Sequence, residues 1–367
     1  MHRRNFLQAG AAAGLLGTLP RIPYAQGTSH LPFDPKPGGW RSFEITTRVE
    51  IVKTSGASRA WIPVPAVESD YQKVAGSAWS GNGNVRLERD GKYGATLVSA
   101  EWPAAERAPQ VTVVSTFATR NRATDFGKPN PSLRLDPASA KFFTAPTEFI
   151  PTDGIVRDTA LEIVKGKKTD VDKARAIYEW VVDNTYRDPK TRGCGVGDIK
   201  ALLETQNLGG KCADLNALYV GLARSIGLPA RDVYGLRVVK SEFGYRSLGA
   251  GTANVTRAQH CRAEVFLTGF GWVPVDPADV RKVVLEEKDK PTTLADPLVP
   301  PVRAKLFGAW EMNWHAYNYA HDLALPGSTG VPVAFLMYPQ AETGAVRLDC
   351  LDPDTFRYTI KSREISL

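Results

Sequence analysis

Cys212, His260 and Asp276 are the residues whose types and spacing fit nucleophilic catalysis. Cys212 stands in Gly209-Gly210-Lys211-Cys212-Ala213-Asp214. His260 opens His260-Cys261-Arg262-Ala263-Glu264-Val265-Phe266, and Asp276 closes Gly271-Trp272-Val273-Pro274-Val275-Asp276. Thiol catalysis needs a nucleophile, a base to take its proton and a group to orient the base. Between Leu31 and Trp314, His260 is the only histidine, so one candidate base remains for Cys212.

The surrounding pattern says how these side chains would be positioned. Leu215, Leu218, Tyr219, Leu222 and Ile226 recur at helical spacing, which predicts a helix over Ala213 to Ile226. Gly209-Gly210 breaks what precedes it, and Gly227 with Pro229 stops it. Cys212 then lies at a helix N-terminus, where free N–H groups and the positive dipole end favour a thiolate. The same amides can stabilise an oxyanion. Gln259 to Leu267 and Trp272 to Val275 read as strands joined by Thr268-Gly269-Phe270-Gly271. Such a hairpin brings His260 and Asp276 toward the same end.

These blocks resemble the transglutaminase-like superfamily. The resemblance rests on Gly210-Lys211-Cys212, on Leu228-Pro229-Ala230-Arg231, and on His260 followed by Gly271-Trp272-Val273-Pro274-Val275-Asp276-Pro277. It covers roughly Phe149 to Val284. It implies a papain-like core of helices packed on an antiparallel sheet, and a Cys-His-Asp triad at Cys212, His260 and Asp276. One departure is Cys261, where many members carry an aromatic residue.

Two further sets of residues are candidates. Gln206 lies six residues before Cys212, the spacing of an oxyanion-donating glutamine in papain-like folds; alternatively it simply ends a helix. Trp314, His315 and Tyr317 belong to an unusually aromatic stretch that could line a substrate groove or fill the core. The spacing of His315 and His321 is not that of helical ligands, and no CxxC is present, so no metal is expected. No cofactor is required by thiol acyl transfer. The four cysteines, Cys194, Cys212, Cys261 and Cys350, do not form a disulfide-rich scaffold. Cys194 is either inert, a bridge partner, or a redox lock on Cys212.

The N-terminus addresses the compartment. Arg3-Arg4-Asn5-Phe6-Leu7, the apolar stretch Ala11 to Leu19 and the small-residue site near Ala25 resemble a twin-arginine (Tat) export signal. A periplasmic or exported location follows, with the Tat translocase as a transient partner. The apolar stretch is too short to span a bilayer stably, and no integral membrane segment is expected in the mature chain. The formal charge of +7 falls to about +4 once residues 1–25 are removed. No basic run alternates with aromatics, so nucleic acid is not an expected partner.

A chain of 367 residues can hold more than one domain. Alternating segments such as Phe43 to Ile51 and Val111 to Phe117 predict a β-sandwich over residues 26–145. Residues 146–288 form the expected catalytic core. Its helices lie at Thr152 to Val164, after Thr169 as an N-cap with an acidic residue at N3, and after Asp198. Residues 289–367 read as a β extension packed beside the core. The fold class expected is therefore α+β. The function expected is acyl transfer or hydrolysis at a carboxamide or peptide carbonyl through a thioester, with a peptide or protein substrate and an amine as a candidate acceptor. A cysteine protease or amidase acting on envelope peptides and a non-catalytic module on the same fold are the alternatives.

Overall fold

The computed structural model describes residues 30–366. The twin-arginine segment lies outside the described residues. Among them, no helix is long and apolar enough to cross a membrane.

Strand-forming alternation builds two antiparallel sheets. The first has the order Phe356–Ile365, Arg41–Ile51, Gln110–Thr119, Gln72–Gly81. Along Arg41–Ile51 the inward positions are Phe43, Ile45, Thr47, Val49 and Ile51, a strict period of two. The second sheet has the order Val346–Arg347, Gln340–Thr343, Ser58–Pro63, Thr96–Trp102, Asn84–Arg89. Val49, Val113 and Phe356 from one sheet share a core with Ile62, Val98 and Ala341 from the other. Burying those faces against each other is what holds the two layers together.

The tail, expected to pack beside the core, divides between the core and the N-terminal sheets. Helix Val299–Lys305 buries Val299 and Val302 against the core, and Trp314–Asn318 pairs along the edge of Ala230–Arg237. Gln340–Thr343 and Phe356–Ile365 instead complete the two N-terminal sheets, on Ser58–Pro63 and Arg41–Ile51. Both are edges whose backbone groups need partners, and the returning tail supplies them.

The core sheet runs Gly271–Val275, Gln259–Leu267, Ala230–Arg237, Trp314–Asn318, all antiparallel. Against it lies helix Cys212–Ser225, buried along its whole length. A helix enclosed on all sides can afford few solvated residues, and its apolar positions face strands on one side and helices on the other. Helix Asp170–Asn184 begins at Thr169, whose hydroxyl accepts from Asp172 N at 3.1 Å. It buries Ala174, Ile177, Tyr178, Val181 and Val182. Helix Ile199–Thr205 is capped by Asp198, which accepts from Ala201 N at 3.0 Å. The architecture is thus α+β, with helices on an antiparallel sheet. Arg231, from Leu228-Pro229-Ala230-Arg231, locks two sheet strands by donating to the buried Glu264 at 2.6 Å.

Helix Pro277–Glu286 follows the hairpin directly. Asp276 is its N-cap and Pro277 its first residue, where the missing N–H costs nothing.

Candidate active site

Cys212 is the first residue of its helix, so its N–H has no intrahelical partner. The approach to it is fixed by Asp214. That carboxylate accepts from Lys211 N at 2.9 Å, Val196 N at 3.0 Å and Gly197 N at 2.9 Å. The loop carrying Cys194 is thereby tied to the helix start, and Ala213 N donates to Cys194 O at 2.9 Å. Gly195 has φ +96°, and a Cβ there would lie 1.8 Å from Asp214 Oδ2, so only glycine fits.

The hairpin supplies the other two groups. Ala263 pairs with Val275, which sets Asp276 beside Arg262 and one strand period from His260. His260 Nε2 donates to Asp276 Oδ2 at 2.8 Å. This leaves Nδ1 for the thiol, and both residues line the same cleft. Asp276 Oδ1 accepts from Asp279 N at 3.1 Å and from Asn216 Nδ2 at 3.4 Å. One carboxylate therefore caps a helix with one oxygen and holds an imidazole with the other. Trp314 Nε1 donates to His260 O at 2.7 Å and fixes the backbone behind the ring.

A buried charge network extends beyond these three residues. Asp279 Oδ1 lies 3.3 Å from His260 Nε2 and accepts from Arg237 Nη2 at 2.5 Å. Arg262 Nε is 3.5 Å from Asp276 Oδ2, and its guanidinium lies over Trp314 and Trp310. All of these charged groups are buried. His260, Asp276 and Asp279 have ligand-type atoms within 4.8 Å of one another. Yet a guanidinium faces each carboxylate, so the arrangement suits an imidazolium better than a metal ion.

Burial alone would lower the His260 pKa. The Asp279 and Asp276 carboxylates outweigh it and hold His260 at about 9. The Cys212 thiol is held well below its usual value. Hydrogen bonds from the Cys194 and Cys261 thiols lead, and His260 adds to them against the opposing effect of burial. Burial and the neighbouring Asp279 charge push Asp276 up. Asp279 resists its own burial through Arg237 and His260, and stays well below the ordinary carboxylate range. Between the Cys212 and His260 values the charges favour a thiolate–imidazolium pair.

Cys212, His260 and Gln259 line a cleft of about 770 Å³. The other sequence candidates lie elsewhere. Gln206 is exposed, ends its helix in the left-handed region at φ 54°, and is absent from the cleft lining. Trp314, His315 and Tyr317 are buried in the core sheet instead of lining the cleft. The reason is pairing: their strand covers the edge of Ala230–Arg237. His315 packs on Phe117 and Tyr317, and burial drives its pKa down to about 3. The cleft wall is instead formed by Gly249 to Gln259 and by Tyr338, Leu351 and Tyr358. All four cysteines are free.

Sequence reasoning missed Asp279, Arg237 and Gln259. Asp276-Pro277-Ala278-Asp279 carries a readable signal, an N-cap followed by an acid at N3. Nothing in the sequence marks Arg237. Gln259 precedes the histidine, and its buried Nε2 has no hydrogen-bond partner among the described residues.

Comparison with known proteins bears on the core and the fold. Residues 157–277 match the core domain of the transglutaminase-like superfamily. An uncharacterised protein of Haemophilus influenzae is 35% identical over 342 residues, covering 88% of this chain and 91% of the relative. A crystal structure of a candidate cysteine protease from Cytophaga hutchinsonii shares the fold. Its TM-score is 0.56 at 14% identity, covering 90% of this chain and 93% of the other. Through its core match, the chain belongs to the transglutaminase-like superfamily.

Proposed function

We propose that this protein is an exported thiol enzyme that cleaves or transfers an acyl group at a carboxamide or peptide carbonyl. The observation that carries the reading is a cleft-lining Cys212 at a helix start, sharing its cleft with a histidine whose Nε2 is held by Asp276 at 2.8 Å. The Cys212 thiolate would attack the carbonyl carbon and form a tetrahedral oxyanion. Protonated His260 would then give its Nδ1 proton to the departing amine as the C–N bond breaks. The thioester left on Cys212 would be released by water or by an amine, with neutral His260 taking the proton of the acceptor. Asp276 would hold the ring and support its charge.

The Cys212 N–H and the unpartnered Gln259 amide are the oxyanion donors in this scheme. Gln259→Ala is expected to slow acylation on the order of 10²-fold while leaving Cys212 alkylation intact. An unchanged acylation rate would remove Gln259 from the role.

The reaction itself is tested by mixing the mature protein with activated esters and peptide amides and weighing it intact. An acyl adduct on Cys212 that hydroxylamine removes is expected, and partition between water and added amine then separates hydrolysis from transamidation. Absence of any adduct across a broad donor panel would favour a binding module.

Export rests on Arg3-Arg4-Asn5-Phe6-Leu7. Replacing Arg3 and Arg4 by lysine keeps the charge yet should strand the precursor inside the cell. Mature protein still found outside the inner membrane would contradict the twin-arginine route.

A further inference from the structure

The cleft that holds Cys212 is lined by Arg187, Arg192, Lys211, Arg237, Arg257 and Lys282 and, among the described residues, by no aspartate or glutamate. Some of this charge is neutralised from behind. Asp279 pairs with Arg237, Asp349 with Arg192 at 2.6 Å, and Glu286 is shared by Arg187 and Lys282. Six cations thus meet three carboxylates. Lys211 and Arg257 have no carboxylate within 4.0 Å among the described residues, and Arg257 is exposed. Lys282 is pushed below its usual pKa by burial and then by Arg237, as expected where cations crowd one another. The remaining lining includes Tyr338, Leu351 and Tyr358, with Asn254 and Thr256 as neutral polar groups.

We propose that the acyl donor is an acidic peptide, with carboxylates flanking the carbonyl that reaches Cys212. This rests on the reading of Cys212 as the acyl acceptor. A surplus of positive charge in a concave, partly apolar cleft concentrates anions and orients them. Guanidinium groups match carboxylates in planar, two-point geometry. Lys211 directly precedes the nucleophile, so a carboxylate bound there would sit next to the reacting bond. Arg257 lies two residues before Gln259 and would engage a carboxylate farther along the peptide.

The test measures binding separately from turnover. Cys212→Ala protein is titrated, by fluorescence anisotropy, into a labelled hexapeptide carrying four glutamates and into matched versions with four glutamines or four lysines. At low ionic strength the glutamate peptide should bind roughly ten-fold or more tighter than the glutamine peptide, and the gap should shrink with added salt. Arg257→Glu and Lys211→Gln, each built on Cys212→Ala, should each lower that preference several-fold. Lys128→Glu makes the same charge change as Arg257→Glu at a highly exposed position outside the cleft and should leave the preference intact. Equal binding of the glutamate and glutamine peptides would overturn the inference. So would a loss with Lys128→Glu as large as that with Arg257→Glu, since net charge alone would then explain the binding. If the preference is absent while Cys212 still forms an acyl adduct, only the acidic-peptide inference falls. If the preference holds but no adduct forms, the acyl-transfer reading falls instead.

Discussion

Cys212→Ala abolishes acyl-enzyme formation, and His260→Ala slows single-turnover acylation more than Asp276→Asn does. Two contacts of the Asp276 carboxylate matter here, His260 Nε2 on Oδ2 and Asp279 N on Oδ1. An asparagine has one oxygen for the two. If it keeps the helix cap, its amide nitrogen faces the imidazole and favours the wrong tautomer. If it keeps the imidazole, the cap is lost. In either orientation the negative charge that supports imidazolium is gone. The corresponding change in a serine-protease triad costs about 10⁴ in kcat. A thiol is more acidic than a hydroxyl, and here Cys194 and Cys261 also stabilise the thiolate. The expected loss is therefore smaller, on the order of 10–10³. Circular dichroism checks that folding persists. Near-wild-type acylation in both His260→Ala and Asp276→Asn would remove the triad.

Breaking the buried Arg237–Asp279 pair carries the largest expected stability effect. Asp279→Asn leaves a guanidinium uncompensated inside the protein, a situation that costs about 3–5 kcal/mol. It also removes a carboxylate that raises His260. With Asp279 present, the His260 pKa stands at about 9, above its ordinary 6.5. Its contribution to stability is fully present below about pH 6.5 and is lost as pH rises through about 9. The imidazolium needed by the leaving group disappears over the same upper range. The alkaline limb of the acylation rate should therefore fall near pH 9 in the wild type and move to lower pH in Asp279→Asn. Because that variant is destabilised, the double variant Arg237→Met/Asp279→Leu tests the stability side. It should recover much of the stability, since apolar replacements of buried ion pairs are often tolerated. Its alkaline limb should still lie below that of the wild type. Because Arg237 itself lowers His260, the decisive case is Asp279→Asn, where an unshifted limb would show that Asp279 has no hold on His260.

The parts of the fold written in local patterns were legible beforehand. The Cys212–Ser225 helix follows from its apolar spacing and glycine stops, and the Gln259–Val275 hairpin from its turn. The Thr169 and Asp198 caps follow from side chains that compete for the first free N–H groups. What was not legible depends on contacts between distant segments. Phe356–Ile365 reads as a strand, but nothing in it says that its partner is Arg41–Ile51. Trp314, His315 and Tyr317 carry the chemistry of a groove, yet edge pairing buries them. The cleft wall comes instead from Gly249–Gln259 and Tyr338–Tyr358, segments far from Cys212 in the chain. The pairing of Arg237 with Asp279 escapes for the same reason, since 42 residues separate the two ends of their hydrogen bond.

The central claim is that Cys212 carries the thiolate in this cleft. Limited iodoacetamide at mildly acidic pH, followed by peptide mapping, tests it most directly. A thiol of ordinary pKa, about 8.5, reacts slowly there, whereas a thiolate held by His260, Cys194 and Cys261 reacts at once. Cys194 and Cys261 are held well above their usual values, Cys194 mainly by its hydrogen bond to Cys212 and Cys261 mainly by burial, and Cys350 is raised by burial. The account predicts alkylation confined to Cys212, with a rate that stays high well below pH 8.5 and drops in His260→Ala. Preferential modification of Cys194, Cys261 or Cys350, or a Cys212 that reacts only at alkaline pH, would contradict it.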